Sequence, residues 1–314
     1  MSKVTSNLWK LLEQDAPIML DGGLGSELDS RGYDISTPLW SAELLISNPQ
    51  AIIDTHRAYL DAGAQCITSA SYQASVAGFA TLGVSQQQAQ GLIVKSIDLA
   101  RIARDQFLEQ NPDCGYQPLI AASIGPYGAF LADGSEYSGS YGVDDQTLLE
   151  FHRQRILWLD AAGADVLACE TIPGLQEARV LGQLLERVNT SAWLSFSCQN
   201  GTLLNDGKSL RQAVALFERH PKVVAIGVNC SAPQYIRSLI GEIKSAAWKR
   251  AIVVYPNSGE QYDADEKVWY GTESPLECAT AARSWHLQGA KIIGGCCRMG
   301  PAHIQEIAAV LADE

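Results

Sequence analysis

No run of apolar residues in this chain approaches the roughly 20 that a membrane-spanning helix needs. The opening segment MSKVTSNLWKLLEQDAP lacks the uninterrupted apolar stretch of a secretory signal. A cytoplasmic protein without a membrane partner is therefore expected. Basic residues are scarce: 23 Lys and Arg face 35 Asp and Glu, for a formal net charge of -12, which disfavours nucleic acid and anionic lipid as partners. That acidity reads first as solubilising and only second as a field that steers a cationic substrate. Low-complexity tracts, charge blocks, obvious repeats and Pro/Ser-rich linkers are also missing. Nothing marks an internal boundary, and residues 1–314 are expected to form one domain. Eight cysteines in a chain with no secretion signal point to reduced thiols, structural or metal-binding, rather than to a disulfide framework.

What the chain does have is 46% hydrophobic residues, enough for a large core. It also has a recurring order: a short apolar run rich in β-branched residues, a polar or glycine-rich turn, then a stretch of helical period. Strands are expected at Pro17 to Leu20, Gln65 to Ala70, Leu119 to Ile124, Asp165 to Cys169, Ala192 to Cys198, Val223 to Val228, Ile252 to Tyr255 and Lys291 to Ile293. Helices are expected at Gln50 to Ala62, Ser85 to Gln110, Asp145 to Ala162, Gly174 to Val188, Ser209 to Arg219, Pro233 to Lys249, Pro275 to Gln288 and Pro301 to Ala312. Alternation forces parallel pairing with right-handed crossovers. Eight such units close into an α/β fold of the (β/α)8 (TIM) barrel type more comfortably than into an open sheet with two edges to protect.

Reactive groups in such barrels follow the carboxyl ends of strands. Here those positions carry Asp21-Gly22-Gly23, Tyr72, Glu170-Thr171, Asn229-Cys230 and Gly294-Gly295-Cys296-Cys297. Barrel closure would gather Cys230, Cys296 and Cys297 on one rim. Three soft thiolates favour Zn2+ and leave a fourth tetrahedral position free, the mark of a catalytic site. Their spacing is not that of a zinc ribbon, and buried small hydrophobes or a vicinal disulfide remain the alternatives; Cys66, Cys169 and Cys198 read as core. Asp21 and Glu170 would approach the same rim as a clamp for a substrate ammonium group, although Asp21 reads equally well as a helix cap or a partner of Arg31. The Gly22-Gly23 turn offers backbone N–H groups to a carboxylate or is simply a tight connection. Trp40, Tyr72, Tyr127 and Tyr255 read either as a wall for a sulfonium cation or as core aromatics. The five histidines, His56, His152, His220, His286 and His303, read as surface or helix-cap residues and are left out of the metal site.

Asp21 to Glu27 with Arg31-Gly32, Pro38-Leu39-Trp40-Ser41, Ser71 to Ala74, Ser123 to Pro126, Glu170 to Pro173, Gly227 to Cys230 and Gly294 to Cys297 resemble the homocysteine S-methyltransferases nearly end to end. The likeness is greatest to stand-alone enzymes using S-methylmethionine or S-adenosylmethionine, and less to betaine-homocysteine methyltransferase or to the homocysteine module of cobalamin-dependent methionine synthase. It implies zinc held by Cys230, Cys296 and Cys297, homocysteine held through its amino group by Asp21 and Glu170, small-molecule substrates and no cobalamin. The product expected is methionine, and a selenocysteine Se-methyltransferase would use the same residues. Donor choice is expected to rest on the loops around Trp40, Tyr72 and Asp133 to Tyr141.

Overall fold

The computed structural model describes residues 3–37, 39–259, 261–263, 268–270 and 274–312; Pro38 lies outside them. The strands are β1 (Ile18–Met19), β2 (Cys66–Thr68), β3 (Leu119–Ile124), β4 (Val166–Ile172), β5 (Ala192–Phe196), β6 (Val223–Asn229), β7 (Ala251–Tyr255), β8 (Gln261–Asp263), β9 (Val268–Tyr270) and β10 (Ile292–Ile293). Eight pair in parallel in the order β1-β10-β7-β6-β5-β4-β3-β2, while β8 and β9 form a separate antiparallel hairpin. A parallel bridge between Leu20 and Cys66 joins the two ends of that order. It is backed by hydrogen bonds from Asp21 N to Cys66 O (3.0 Å) and from Gln65 N to Met19 O (2.8 Å). The sheet is therefore the expected (β/α)8 barrel.

Period-two alternation sorts the strand residues. Leu119 and Ala121 point into the barrel with Val166, Ala168, Trp193 and Val253, whereas Ile120 and Ala122 pack outward under the helices. The helices begin where their sequences say they should. Asn48 accepts from Ala51 N ahead of Pro49–Asp61, and Asp144 accepts from Thr147 N ahead of Asp145–Ala161. Ser85 with Gln88, and Ser274 with Glu277, form capping boxes for Gln86–Gln110 and Pro275–Leu287.

The N-terminal segment was read above only as lacking a signal sequence, and it forms a helix, Lys3–Glu13. Its Leu8 and Leu11 join the interior cluster of the barrel. Lys291, which enters β10, donates through its ammonium to the Ala16 carbonyl at 2.6 Å. The helix therefore closes the amino-terminal end of the barrel and leaves the carboxyl-terminal end open for the site. Among the described residues no helix is long and apolar enough to cross a membrane.

Two histidines depart from expectation. His56 and His152 are fully buried rather than at the surface or a cap. Burial pushes the pKa of each down to about 4, so both stay neutral. His152 tolerates this because an Arg155 guanidinium N–H donates to its Nδ1 (2.9 Å) while its Nε2 faces Glu177 (2.7 Å). His220, His286 and His303 are half-buried near helix ends, closer to the expectation.

Candidate active site and metal centre

Hydrogen bonds between neighbouring strand ends lock the rim. Cys230 N donates to Tyr255 O (3.2 Å), Cys296 N to Pro256 O (2.7 Å), Gly295 N to Asp21 O (3.0 Å) and Ser258 N to Cys297 O (3.2 Å). This brings Cys230, Cys296 and Cys297 together, with Sγ atoms 3.6 Å apart for Cys230 and Cys297 and 4.0 Å for Cys296 and Cys297. All three lie within 4.8 Å of one another. Four sulfurs around a zinc at about 2.3 Å would be about 3.8 Å apart, so the cluster fits a tetrahedral thiolate site. The thiols are free, and no vicinal disulfide is formed. Hydrogen bonds from Cys230 and then Cys296 hold the Cys297 thiol well below its ordinary range. Cys66, Cys169 and Cys198 are buried core residues, as expected.

Asp21 and Glu170 lie on the floor of the same cleft. Asp21 accepts from Thr68 N (2.7 Å) and from the Thr68 hydroxyl (3.0 Å), so it neither caps a helix nor pairs with Arg31, which binds Glu27 at 2.7 Å. Burial, with a smaller contribution from the charge of Glu170, holds the Asp21 carboxyl well above its ordinary range. Glu170 sits where the register between β4 and β5 shifts, between Cys169 and Ile172. A bulge of this kind re-aims side chains at a barrel rim. The Ser123 hydroxyl donates to it. Burial pushes its pKa up to about 7 despite hydrogen bonds from Ser123 and Tyr255.

The strained backbone at this rim has a visible anchor. Thr171 and Cys230 have φ of 59° and 46°, a region costly for residues with a side chain and worst for a β-branched one. Asn229, next in sequence to Cys230, holds Thr171 directly. Its Oδ1 accepts from Thr171 N (2.7 Å) and Ser195 Oγ (2.5 Å), and its Nδ2 donates to Thr171 Oγ1 (2.8 Å) and lies 3.9 Å from Cys296 Sγ. Asn229, Thr68 and Ser123 carried no role in the sequence reading; polar residues ending apolar strands were the signal.

Gly22 and Gly23 line the cleft and pack against the thiol loop. A Cβ on Gly22 would fall 1.9 Å from Met299 O, which explains the glycine there. The Gly23 N–H donates to that same carbonyl at 3.1 Å, so the turn is at least a tight connection. Trp40, which packs against Gly25, and Tyr72 also line the cleft, edge to face with ring centroids 6.2 Å apart. Tyr255 is buried beneath, bonded to Trp193 and Ser195, while Tyr127 packs among Phe130, Tyr141 and Phe151 outside the cleft. Glu136 and Tyr137, within the Asp133 to Tyr141 loop on which donor choice was expected to rest, enter from the loop after β3, with the Tyr137 hydroxyl 3.6 Å from Cys230 Sγ.

The cleft measures about 460 Å³, within the range of roughly 300–1,000 Å³ for small-molecule sites. Among the described residues lining it are three carboxylates and three thiols, and no Lys, Arg or His. Such a lining selects cations, a metal among them.

Residues 18–311 match a family model described as homocysteine S-methyltransferase. The chain is 48% identical over 295 residues to homocysteine S-methyltransferase YbgG of Bacillus subtilis, covering 93% of each chain. It is 44% identical over 301 residues to homocysteine S-methyltransferase of Escherichia coli, covering 95% of this chain and 96% of that one. Among solved structures, the homocysteine methyltransferase MmuM from Escherichia coli in its metallated form superposes with a TM-score of 0.86 at 41% identity, covering 98% of this chain and 99% of that one.

Proposed function

From the premise that this chain belongs to the homocysteine S-methyltransferase family and is an enzyme that transfers a methyl group to homocysteine, we propose how its single barrel domain does so. The donor is a sulfonium compound, S-methylmethionine first and S-adenosylmethionine second, the metal is zinc, and the product is methionine. The observation that carries this reading is the meeting of three thiols within 4.8 Å of one another, beside two buried carboxylates, in a cleft with no cationic side chain among the described residues that line it.

Each residue then has a task. Cys230, Cys296 and Cys297 would hold the zinc. A zinc bound there would favour the homocysteine thiol as thiolate at neutral pH, its proton passing to solvent. Asp21 and Glu170 orient homocysteine through its ammonium group, and of the Gly22-Gly23 turn the Gly22 N–H meets its carboxylate, since the Gly23 N–H is bonded to Met299 O. Trp40 and Tyr72 present ring faces to the donor sulfonium. Homocysteine sulfur gains the methyl carbon as the donor's carbon–sulfur bond breaks. The electron pair leaves on the donor sulfur, which departs as a neutral thioether, so no side chain has to deliver a proton. Binding and alignment of the two substrates supply most of the rate.

A panel of donors and acceptors tests this. Purified enzyme with homocysteine should form methionine from S-methylmethionine, more slowly from S-adenosylmethionine, and not from betaine. Use of betaine, or dependence on added methylcobalamin, would overturn the assignment of donor.

A further inference from the structure

Building on the sulfonium-donor reading above, we propose that Glu136 receives the α-ammonium group of the methyl donor and so selects donors that are amino acids. Glu136 belongs to a single turn of 3-10 helix, Ser135–Tyr137, in the loop that follows β3. That loop folds over the thiols. Gly128 leaves room for it, since a Cβ there would lie 2.4 Å from Glu136 N, and Tyr137 reaches Cys230. Asp21 and Glu170 line the floor of the cleft, while Glu136 comes from the loop above, where a donor must enter to present its methyl group to a sulfur held at the cysteine cluster.

The neighbouring acids are all occupied. Asp133 accepts from Ser135 N at 2.9 Å and from the Ser135 hydroxyl, holding the turn. Glu177 accepts from Tyr127 N (2.6 Å) and the Tyr141 hydroxyl (2.9 Å), fixing both ends of the loop. Asp21 has Thr68, and Glu170 has Ser123. Glu136 differs: its Oε2 is shielded from solvent and has no hydrogen-bond partner among the described residues. Burial, the Asp133 charge and the Cys297 charge together hold this carboxyl above its ordinary range. A buried carboxylate oxygen without a partner is costly, and none of the described residues lining the cleft is a Lys, Arg or His that could supply one.

The donor carries two positive centres, and their chemistry divides them between the walls. A sulfonium has its charge enclosed by three carbon substituents and no N–H to donate, so aromatic faces such as Trp40 and Tyr72 suit it. An ammonium has three N–H donors, which is what an unpartnered carboxylate oxygen needs. Homocysteine's own ammonium is met by Asp21 and Glu170 at the floor. That leaves the donor's ammonium for Glu136.

Two donors that differ only in the amino group test the assignment: S-methylmethionine and its des-amino analogue, 3-carboxypropyl(dimethyl)sulfonium. Affinities are measured by calorimetry on metal-loaded enzyme without homocysteine, beside zinc content and the KM for each substrate. Glu136→Gln should weaken S-methylmethionine by about tenfold, the loss of one charge-assisted hydrogen bond. It should leave the des-amino analogue, the zinc content and the KM for homocysteine unchanged, and Glu136→Asp should recover part of the loss. Equal weakening of both donors would place Glu136 on the sulfonium, lost zinc would make it a metal ligand, and unchanged affinity would remove it from binding; each overturns the proposal. If wild-type enzyme neither binds nor uses S-methylmethionine, the donor reading itself falls. If wild type binds it and the variant binds equally well, only the role of Glu136 falls.

Discussion

Glu170→Gln separates binding from folding at one atom pair. The amide keeps the size of the side chain and can still accept from the Ser123 hydroxyl, so the floor of the cleft keeps its shape. What disappears is a negative charge that is only 8% exposed. A charge-assisted hydrogen bond to an ammonium is worth about 1.5–3 kcal/mol, roughly ten- to a hundredfold in affinity. Asp21 remains beside the same ammonium, so the homocysteine KM should rise near the lower end of that range, about tenfold, with zinc content unchanged. The pH dependence fixes the sign. Burial pushes the Glu170 pKa up to about 7, so the carboxyl is neutral below that pH and charged above it, while the substrate ammonium is charged throughout. Wild-type kcat/KM for homocysteine should therefore climb as pH rises through about 7, and the variant should lose that limb.

Stability should move the opposite way. A carboxyl whose folded pKa lies above its unfolded one favours the native state at low pH, and that contribution is lost as pH rises through the folded value. The rise from 4.5 to about 7 corresponds to about 3 kcal/mol of destabilisation at pH 8, at about 1.4 kcal/mol per pH unit. Glu170→Gln removes it, so the variant should melt no lower than wild type at pH 8 while binding homocysteine less well. Unchanged homocysteine affinity, or a lower melting temperature at pH 8, would refute the reasoning.

Stripping zinc with a chelator should abolish methyl transfer and leave far-UV circular dichroism largely unchanged, because the barrel core closes without metal whereas small zinc domains depend on it; global unfolding would make the metal structural, and undiminished activity would remove it from the reaction. Glu177→Ala should cost about 3–5 kcal/mol in denaturant unfolding, since that buried carboxylate bonds His152, Tyr141 and Tyr127 N and faces the buried Arg155 charge; a cost below about 1 kcal/mol would mean the network relaxes without it.

The barrel was legible because its strands bury both faces, leaving continuous apolar runs that end abruptly in polar or glycine residues. The run at Leu119–Ile124 is reproduced residue for residue. At β4 the run was expected to stop at Cys169, yet the strand continues to Ile172 through the bulge at Glu170 and Thr171. The polar pair looked like a loop because a bulge is a matter of register with β5, which no local pattern records. The three thiols and two carboxylates were legible for a related reason: in a closed barrel every strand end faces one rim, so position along the chain becomes position in the site.

Residues that act through tertiary contact were hidden. His152 has the polarity of a surface residue, and what lets it be buried is a guanidinium one helical turn away and a carboxylate 25 residues on. Asn229 appears as one more polar strand end, but its amide ties β4, β5 and β6 together and holds Thr171 at positive φ. Glu136 is one acid in a polar loop, indistinguishable in sequence from Asp133, which only holds a turn. Its distinction arises when Asp133 Oδ1 takes both Ser135 donors and the loop lies down over the thiols, leaving Glu136 with an unpartnered carboxylate oxygen on the lining of a cleft whose described residues include no cation. Chemistry borne by a strand end could be read from the order of residues, whereas chemistry borne by a loop depends on which of its polar groups the fold has already satisfied.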